Sequence, residues 1–200
     1  MTKIVLTGGP SGGKTTMAMA IEKTFGQDVV MMPESASILF SGGFKRCFYA
    51  EGVKHQQRAI YRVQVEHEWI FEHENPHHII ICDRGTLDGW AYWPEDESDF
   101  FAHQNTTLED EIQRYDWVIH LDTARRESYD RTNHLRHEEP AEADAINEKV
   151  KSCWKSHPQR FIIPSSESFT TKVTTTMAIV ARILKNWSYE DIVKDVLAHE

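Results

Sequence analysis

The chain has little cysteine, a deficit of positive charge and no long apolar run, and each shortage removes a class of protein. Cys47, Cys82 and Cys153 are odd in number and widely spaced, with no CxxC pair. That pattern excludes a disulfide framework and fits reduced thiols. Lys and Arg number 22 against 31 Asp and Glu, a formal net charge of −9. A balance of this sign disfavours a broad nucleic-acid surface, because the phosphates would be repelled. No apolar stretch approaches the roughly 20 residues that a spanning helix needs. The N-terminus leads straight into a predicted strand, so the expectation is a cytoplasmic protein with no membrane span and no nucleic-acid partner. Repeats, low-complexity tracts and linkers are missing too. Two hundred residues suffice for one α/β domain with a real core and are too few for two large ones. Eleven histidines are present, but His73, His77, His78, His134 and His137 lack the cysteine or carboxylate spacing of a zinc site.

Short apolar runs without clean alternation lie at residues 4–7, 29–32, 78–83, 117–122 and 160–164. Such runs suit parallel strands covered on both faces. Helical stretches separate them. Residues 14–25 end at Gly26, and residues 52–74 carry Ile60, Val63, Ile70 and Phe71 before Asn75-Pro76. Residues 107–114 and 139–157 are further helices, with Pro140 tolerated in a first turn. Val173, Met177, Val180 and Leu184 form the core stripe of a later one. The alternation predicts a three-layer, doubly wound five-stranded parallel sheet. Ser188-Tyr189-Glu190-Asp191 resembles a capping sequence opening a last helix through Leu197. The expected organisation is one domain over 1–186, with 187–200 as its helical appendage.

Directly after the first run stands Gly8-Gly9-Pro10-Ser11-Gly12-Gly13-Lys14-Thr15, followed by Thr16, which fits the pattern GxxxxGK(S/T) between strand and helix. Glycines let successive backbone N–H groups turn inward, and the helix N-terminus adds partial positive charge. Gly8, Pro10, Ser11, Gly12, Gly13, Lys14, Thr15 and Thr16 are therefore assigned to a nucleoside triphosphate. Lys14 would reach the β- and γ-phosphates, and Thr15 would hold Mg²⁺. The third run ends in Asp83-Arg84-Gly85. Ligands of α/β sheets lie beyond the carboxyl ends of the strands, which brings Asp83 beside the glycine-rich loop. A carboxylate there can hold Mg²⁺, in part through water, or take a proton from an attacking hydroxyl. Arg84 can clamp a substrate or phosphate bidentately.

With these motifs the chain resembles the P-loop kinase-like proteins, and most of all an ATPase/kinase group related to the nicotinamide-riboside kinase domain. The shared pattern reads TGGPxxGKTT over residues 7–16, PExA at Pro33-Glu34-Ser35-Ala36, and DRGxxDGxAY over residues 83–92. The resemblance implies strand order 2-3-1-4-5, ATP and Mg²⁺ as cofactors, and an arginine-rich lid over about 124–138. Arg125, Arg126, Arg131 and Arg136 fall in that stretch and suit stabilisation of transferring phosphate. Similarity to other lids singles out Arg126 and Arg131 as catalytic, with Arg136 next. Similar nucleoside kinases carry a carboxylate at the place of Glu34 to orient or deprotonate the acceptor hydroxyl, so Asp83 and Glu34 compete as base, Asp83 first. The purine of similar folds meets the stretch corresponding to Ile163-Pro164-Ser165.

On the acceptor side, Lys45, Arg46 and Arg58 are candidates for an anionic substrate, and Phe44, Phe48 and Tyr49 for stacking on a base. Trp90, Tyr92 and Trp93 either line the same pocket or pack beneath the lid. The expected activity is phosphoryl transfer from ATP·Mg to a small-molecule phosphate acceptor such as a nucleoside or nucleotide. The alternative is a nucleotide-dependent switch, ATPase or GTP-binding protein acting through a protein or lipid partner. The sequence has neither an NKxD guanine motif nor an Asp-Glu Walker B pair, which lowers that alternative.

Overall fold

The computed structural model describes residues 1–10, 12–123, 140–164 and 168–197. Ser11, Ser165 and the expected lid, with Arg125, Arg126, Arg131, Arg136, His134 and His137, lie outside the described residues. Five strands, β1 (Lys3–Thr7), β2 (Val29–Met32), β3 (Ile79–Asp83), β4 (Trp117–Leu121) and β5 (Arg160–Ile163), form one sheet in the order β2-β3-β1-β4-β5. Every pairing is parallel. β1 is buried at all five positions, which is why its sequence shows no alternation.

The pleat sends alternate residues to two separate cores. Ile4, Leu6, Ile81 and Ile119 pack with helix α1 (Lys14–Phe25) through Met17 and Ile21, and with α8 (Phe169–Leu184) through Ile179, Val180 and Ile183. Val5, Ile80, Cys82 and Val118 face the other layer, where Leu87, Trp93, Phe100, Tyr115 and Trp154 are buried. That layer contains α3 (Ala50–Glu74), α4 (Asp88–Ala91), α5 (Glu97–Gln104), α6 (Leu108–Gln113) and α7 (Pro140–Cys153). The expected C-terminal helix is shorter than its sequence pattern: α9 (Tyr189–Ile192) passes into a π-helical turn over Val193–Leu197. Its Ile192 is fully buried in the first core.

Three helices were not expected: α2 (Ser35–Ser41), α4 and α5. Each has eight residues or fewer, too short for a 3.6-residue period to emerge. The helix α3 corrects a second expectation. Its buried residues include Gln57, Tyr61, Gln64 and Glu68, a 4-3-4 spacing that marks one face. Ile70, part of the apolar stripe, is 42% exposed. The face turned inward is polar because it borders a cavity and a buried ionic network. In that network Glu68 receives Lys3, Arg114 and the Tyr115 hydroxyl.

The β1–α1 loop approaches β4 closely. Gly8 has φ 133°, and a Cβ there would lie 2.1 Å from the Leu121 carbonyl oxygen. Replacing Gly8 by Ala combines a strained backbone with a steric overlap, and about 2 kcal/mol or more of stability should be lost. Urea unfolding would show this as a lowered midpoint at an unchanged slope. An unmoved midpoint would contradict the packing.

Candidate active site

The loop after β1 curls over the start of α1, whose N-cap is Gly13 in the left-handed region (φ 81°) with no side-chain cap. The helices α2, α3 and α4 also lack a side-chain cap, whereas α5, α6, α8 and α9 are each closed by one: Asp96, Thr107, Ser168 and Ser188. The N-terminus of α1 therefore keeps its amide donors and its dipole for an anion. Asn147 of α7 steadies the loop from behind. Its Oδ1 accepts from the Gly9 amide (2.9 Å), and its Nδ2 donates to Asp122 (2.9 Å).

Lys14 is buried and donates from Nζ to the Gly8 and Gly9 carbonyl oxygens at 3.0 and 2.7 Å. Burial first, and the neighbouring Arg84 guanidinium second, lower its pKa to about 7, against the pull of Asp83, Glu34 and Asp88. Thr15 donates its hydroxyl to Asp83 Oδ2 at 2.7 Å. Burial raises the pKa of Asp83, with Lys14 and Thr15 opposing. One hydroxyl beside one desolvated carboxylate is a hard-oxygen pair of the kind Mg²⁺ takes, and a cation there would relieve the carboxylate's desolvation. These two residues fit the metal.

Arg84 lies at the turn after β3. Its Nε donates to Glu34 Oε1 (2.6 Å), and its Nη1 donates to Asp88 Oδ2 (2.9 Å) and the Gly8 carbonyl (3.3 Å). Burial opposes its charge, but Tyr92, Glu34 and Asp88 hold it protonated. Glu34 precedes α2 and also accepts from the Ser37 hydroxyl. Burial would raise its pKa, but Arg84, Ser37 and Lys14 outweigh that and hold it below the usual carboxylate range. Ser35 and the Arg84 carbonyl both bind the Gln64 carboxamide, so α3 fixes both sides of this pair.

Lys14, Thr15, Asp83, Arg84, Glu34 and Asp88 border one cavity of about 580 Å³, with Asn147 behind the loop and outside its lining. Pro10, Gly12, Gly13, Lys14, Thr15 and Thr16 form its phosphate-loop end, while Glu34, Arg84, Arg46, Gln57, Tyr61 and Tyr92 line it further out. Two expected substrate residues are elsewhere. Arg58 is exposed and off the cavity, one residue and about 100° of helix rotation from Gln57 on the inner face of α3. Lys45 is exposed in the α2–α3 connection and does not line the cavity either, whereas Arg46 does, stacked 4.2 Å over Phe40. Phe48 borders the cavity; Phe44 and Tyr49 do not. Of the aromatic group after β3, only Tyr92 faces it, since Trp93 is buried with its Nε1 on Asp99 and Trp90 packs against Phe101. Sequence reasoning missed Asp88, Gln57, Gln64 and Asn147. Asp88 was visible inside the DRGxxDG stretch, and the glutamines in the 4-3-4 spacing of α3.

A parallel 2-3-1-4-5 sheet with a glycine-rich phosphate loop after its central strand defines a P-loop protein of the nucleoside- and nucleotide-kinase-like type. The family model described as AAA domain matches residues 3–172. The chain belongs to that family. Two structures of deoxyadenosine kinase from M. mycoides share the fold. One, with bound dATP, has a TM-score of 0.60 at 18% identity and covers 90% of this chain and 100% of its own. The other, with the products dCMP and a flexible dCDP, has a TM-score of 0.57 at 16% identity and covers 93% and 100%. No curated protein sequence matches the chain. Among the described residues no helix is long and apolar enough to cross a membrane.

The depressed pKa of Lys14 has a signed consequence. Between about 7, its folded value, and 10.5, its ordinary one, the unfolded chain binds the extra proton. Stability contributed through Lys14 therefore rises with pH across that window, and the full cost of burying the charge is carried below pH 7. Relative to Lys14→Met, the parent should gain on the order of a few kcal/mol between pH 6 and pH 10. Denaturant titrations of both proteins at each pH check this, and a difference that stays constant with pH would contradict it.

Proposed function

We propose that this protein is a phosphotransferase that moves the γ-phosphoryl group of ATP·Mg to a small hydroxyl or phosphate acceptor of the nucleoside or nucleotide class. The observation that carries the reading is the lining of the cavity. The phosphate loop lines one part of it, and the same cavity is also lined by Glu34, Arg84, Arg46, Gln57 and Gln64, charged and carboxamide side chains that lie outside the loop. A switch needs only the loop.

Lys14 turns from the loop carbonyls to the β- and γ-phosphates of the donor, and the N-terminus of α1 takes the remaining charge. Thr15 and Asp83 would hold Mg²⁺, which neutralises phosphate charge when bound. Glu34, on the acceptor side of Arg84, accepts the hydrogen bond of the incoming hydroxyl and so aims its oxygen at the γ-phosphorus. The lowered pKa of Glu34 suits orientation more than early proton removal. That is enough for a loose transition state, in which the proton leaves late, to Glu34 or to Asp83. As the new P–O bond forms, the bond from γ-phosphorus to the β–γ bridging oxygen breaks and ADP departs. Arg84 and the lid arginines Arg126 and Arg131 supply positive charge to the transferring group. Arg46, Gln57 and Tyr61 offer donors and acceptors to the rest of the acceptor. The deoxyadenosine kinases that share the fold make deoxynucleosides the first acceptors to test.

The test is ADP release from ATP·Mg across a panel of nucleosides, nucleotides and pyridine ribosides. At least one acceptor should accelerate turnover, and Lys14→Ala should lower kcat/KM by about 100-fold, on the order of 3 kcal/mol. Tight nucleotide binding that no small acceptor accelerates would favour the nucleotide-dependent switch instead. A Lys14→Ala variant as fast as the parent would contradict both.

A further inference from the structure

Asp88 has no part in the chemistry above, yet it is 2% exposed and fully engaged. Its Oδ1 accepts from the Thr7 hydroxyl and from Trp154 Nε1, both at 2.7 Å, and its Oδ2 accepts from Arg84 Nη1 at 2.9 Å. A buried carboxylate is a poor device for stability alone, since well-packed apolar groups do as well or better. What it holds is unusual. Arg84 has φ 76°, and among the described residues the other two non-glycine residues at positive φ are asparagines, Asn105 and Asn186, a type that tolerates this region. A long side chain there is strained, and such strain persists where the surroundings over-determine the conformation. The two carboxylates gripping Arg84 also differ. Both border the cavity, but the Glu34 side chain is 24% exposed, whereas that of Asp88 is 3% exposed and tied to β1 and to Trp154, just past α7.

We propose that Asp88 is a positioning residue for the acceptor side: it anchors the Arg84 guanidinium so that Nε holds Glu34 at the cavity. The proposal rests on the phosphotransferase reading. With Asp88 in place, Nη1 is fixed from behind and Nε faces one carboxylate. Without it, the guanidinium keeps Glu34, the Gly8 carbonyl at 3.3 Å and the face of the Tyr92 ring, but loses its buried ionic anchor, gains freedom to rotate, and lets Glu34 drift from the acceptor hydroxyl. A misplacement of this kind raises the acceptor requirement and leaves donor binding at the phosphate loop as it was.

Two measurements on the full chain test this, in Asp88→Asn, which keeps the size of the group, and in Trp154→Phe, which removes one donor to Oδ1 and loosens the same core. The first is hydrogen exchange of the Arg84 Nε–H in ¹⁵N-arginine-labelled protein, assigned by its loss in Arg84→Lys. The second is KM and kcat for transfer from ATP·Mg to deoxyadenosine. Asp88→Asn should speed exchange and raise the KM for deoxyadenosine, each about tenfold or more, with the KM for ATP within about twofold. Trp154→Phe should leave both readouts within about twofold of the parent. An unchanged deoxyadenosine KM in Asp88→Asn overturns the proposal, and so does an equal rise in Trp154→Phe, which would reduce Asp88 to a packing role. If the parent transfers nothing to deoxyadenosine while exchange still depends on Asp88, the anchoring of Arg84 is upheld and the fault lies with the acceptor reading.

Discussion

The site depends on one half-buried guanidinium. Arg84 stands where β3 ends, and its side chain reaches three elements at once: Glu34 before α2, Asp88 at the start of α4 and the Gly8 carbonyl of the phosphate loop. Its backbone is held as well, by a hydrogen bond from its amide to Leu6 and by the Gln64 carboxamide on its carbonyl. A cation placed there ties the phosphate loop to the side of the cavity lined by Glu34. Because both are desolvated, these contacts are stronger than they would be in water, and also more costly to break.

The same desolvation sets the electrostatics of the phosphate loop. Lys14 and Arg84 are like charges in one buried space, and three carboxylates, Asp83, Glu34 and Asp88, offset them. The balance is local and unequal: Lys14 is pushed toward neutrality, Asp83 is raised, and Glu34 is lowered by its direct contact with Arg84. A polyanion at the loop would restore the charge of Lys14, and a divalent cation would restore that of Asp83. On the proposed reading, donor and metal would complete this set of charges.

The fold and the place of the glycine-rich loop within it were legible in the sequence because their signals are contiguous. Five apolar runs, a glycine-rich loop and a strand ending in Asp-Arg each lie within a few residues, and the structure has the five strands within one residue of the expected ends. The contacts that position these groups were less legible because they join distant segments. Asn147 meets Gly9 behind the phosphate loop across 138 positions, and Trp154 meets Asp88 across 66; no local pattern announces either. On α3, a search for apolar periodicity finds Ile60, Val63, Ile70 and Phe71, while the face that turns inward is Gln57, Tyr61, Gln64 and Glu68. A helix that borders a polar cavity inverts the usual rule. Lys45 and Arg58 were misplaced for a related reason: charge in a linear sequence does not say which way it points. The arginine-rich stretch is legible as composition, and its residues lie outside those described.

The central claim is that the loop of Gly8–Thr15 and the Glu34–Arg84 pair serve two substrates in one cavity. A crystal structure with Mg²⁺ and an unhydrolysable ATP analogue tests it most directly. The account predicts the triphosphate over the N-terminus of α1, Lys14 Nζ moved from the Gly8 and Gly9 carbonyls onto phosphate oxygens, and the space beside Glu34, Gln57 and Tyr61 still open. A triphosphate filling that second space, or seated away from the loop, would contradict it.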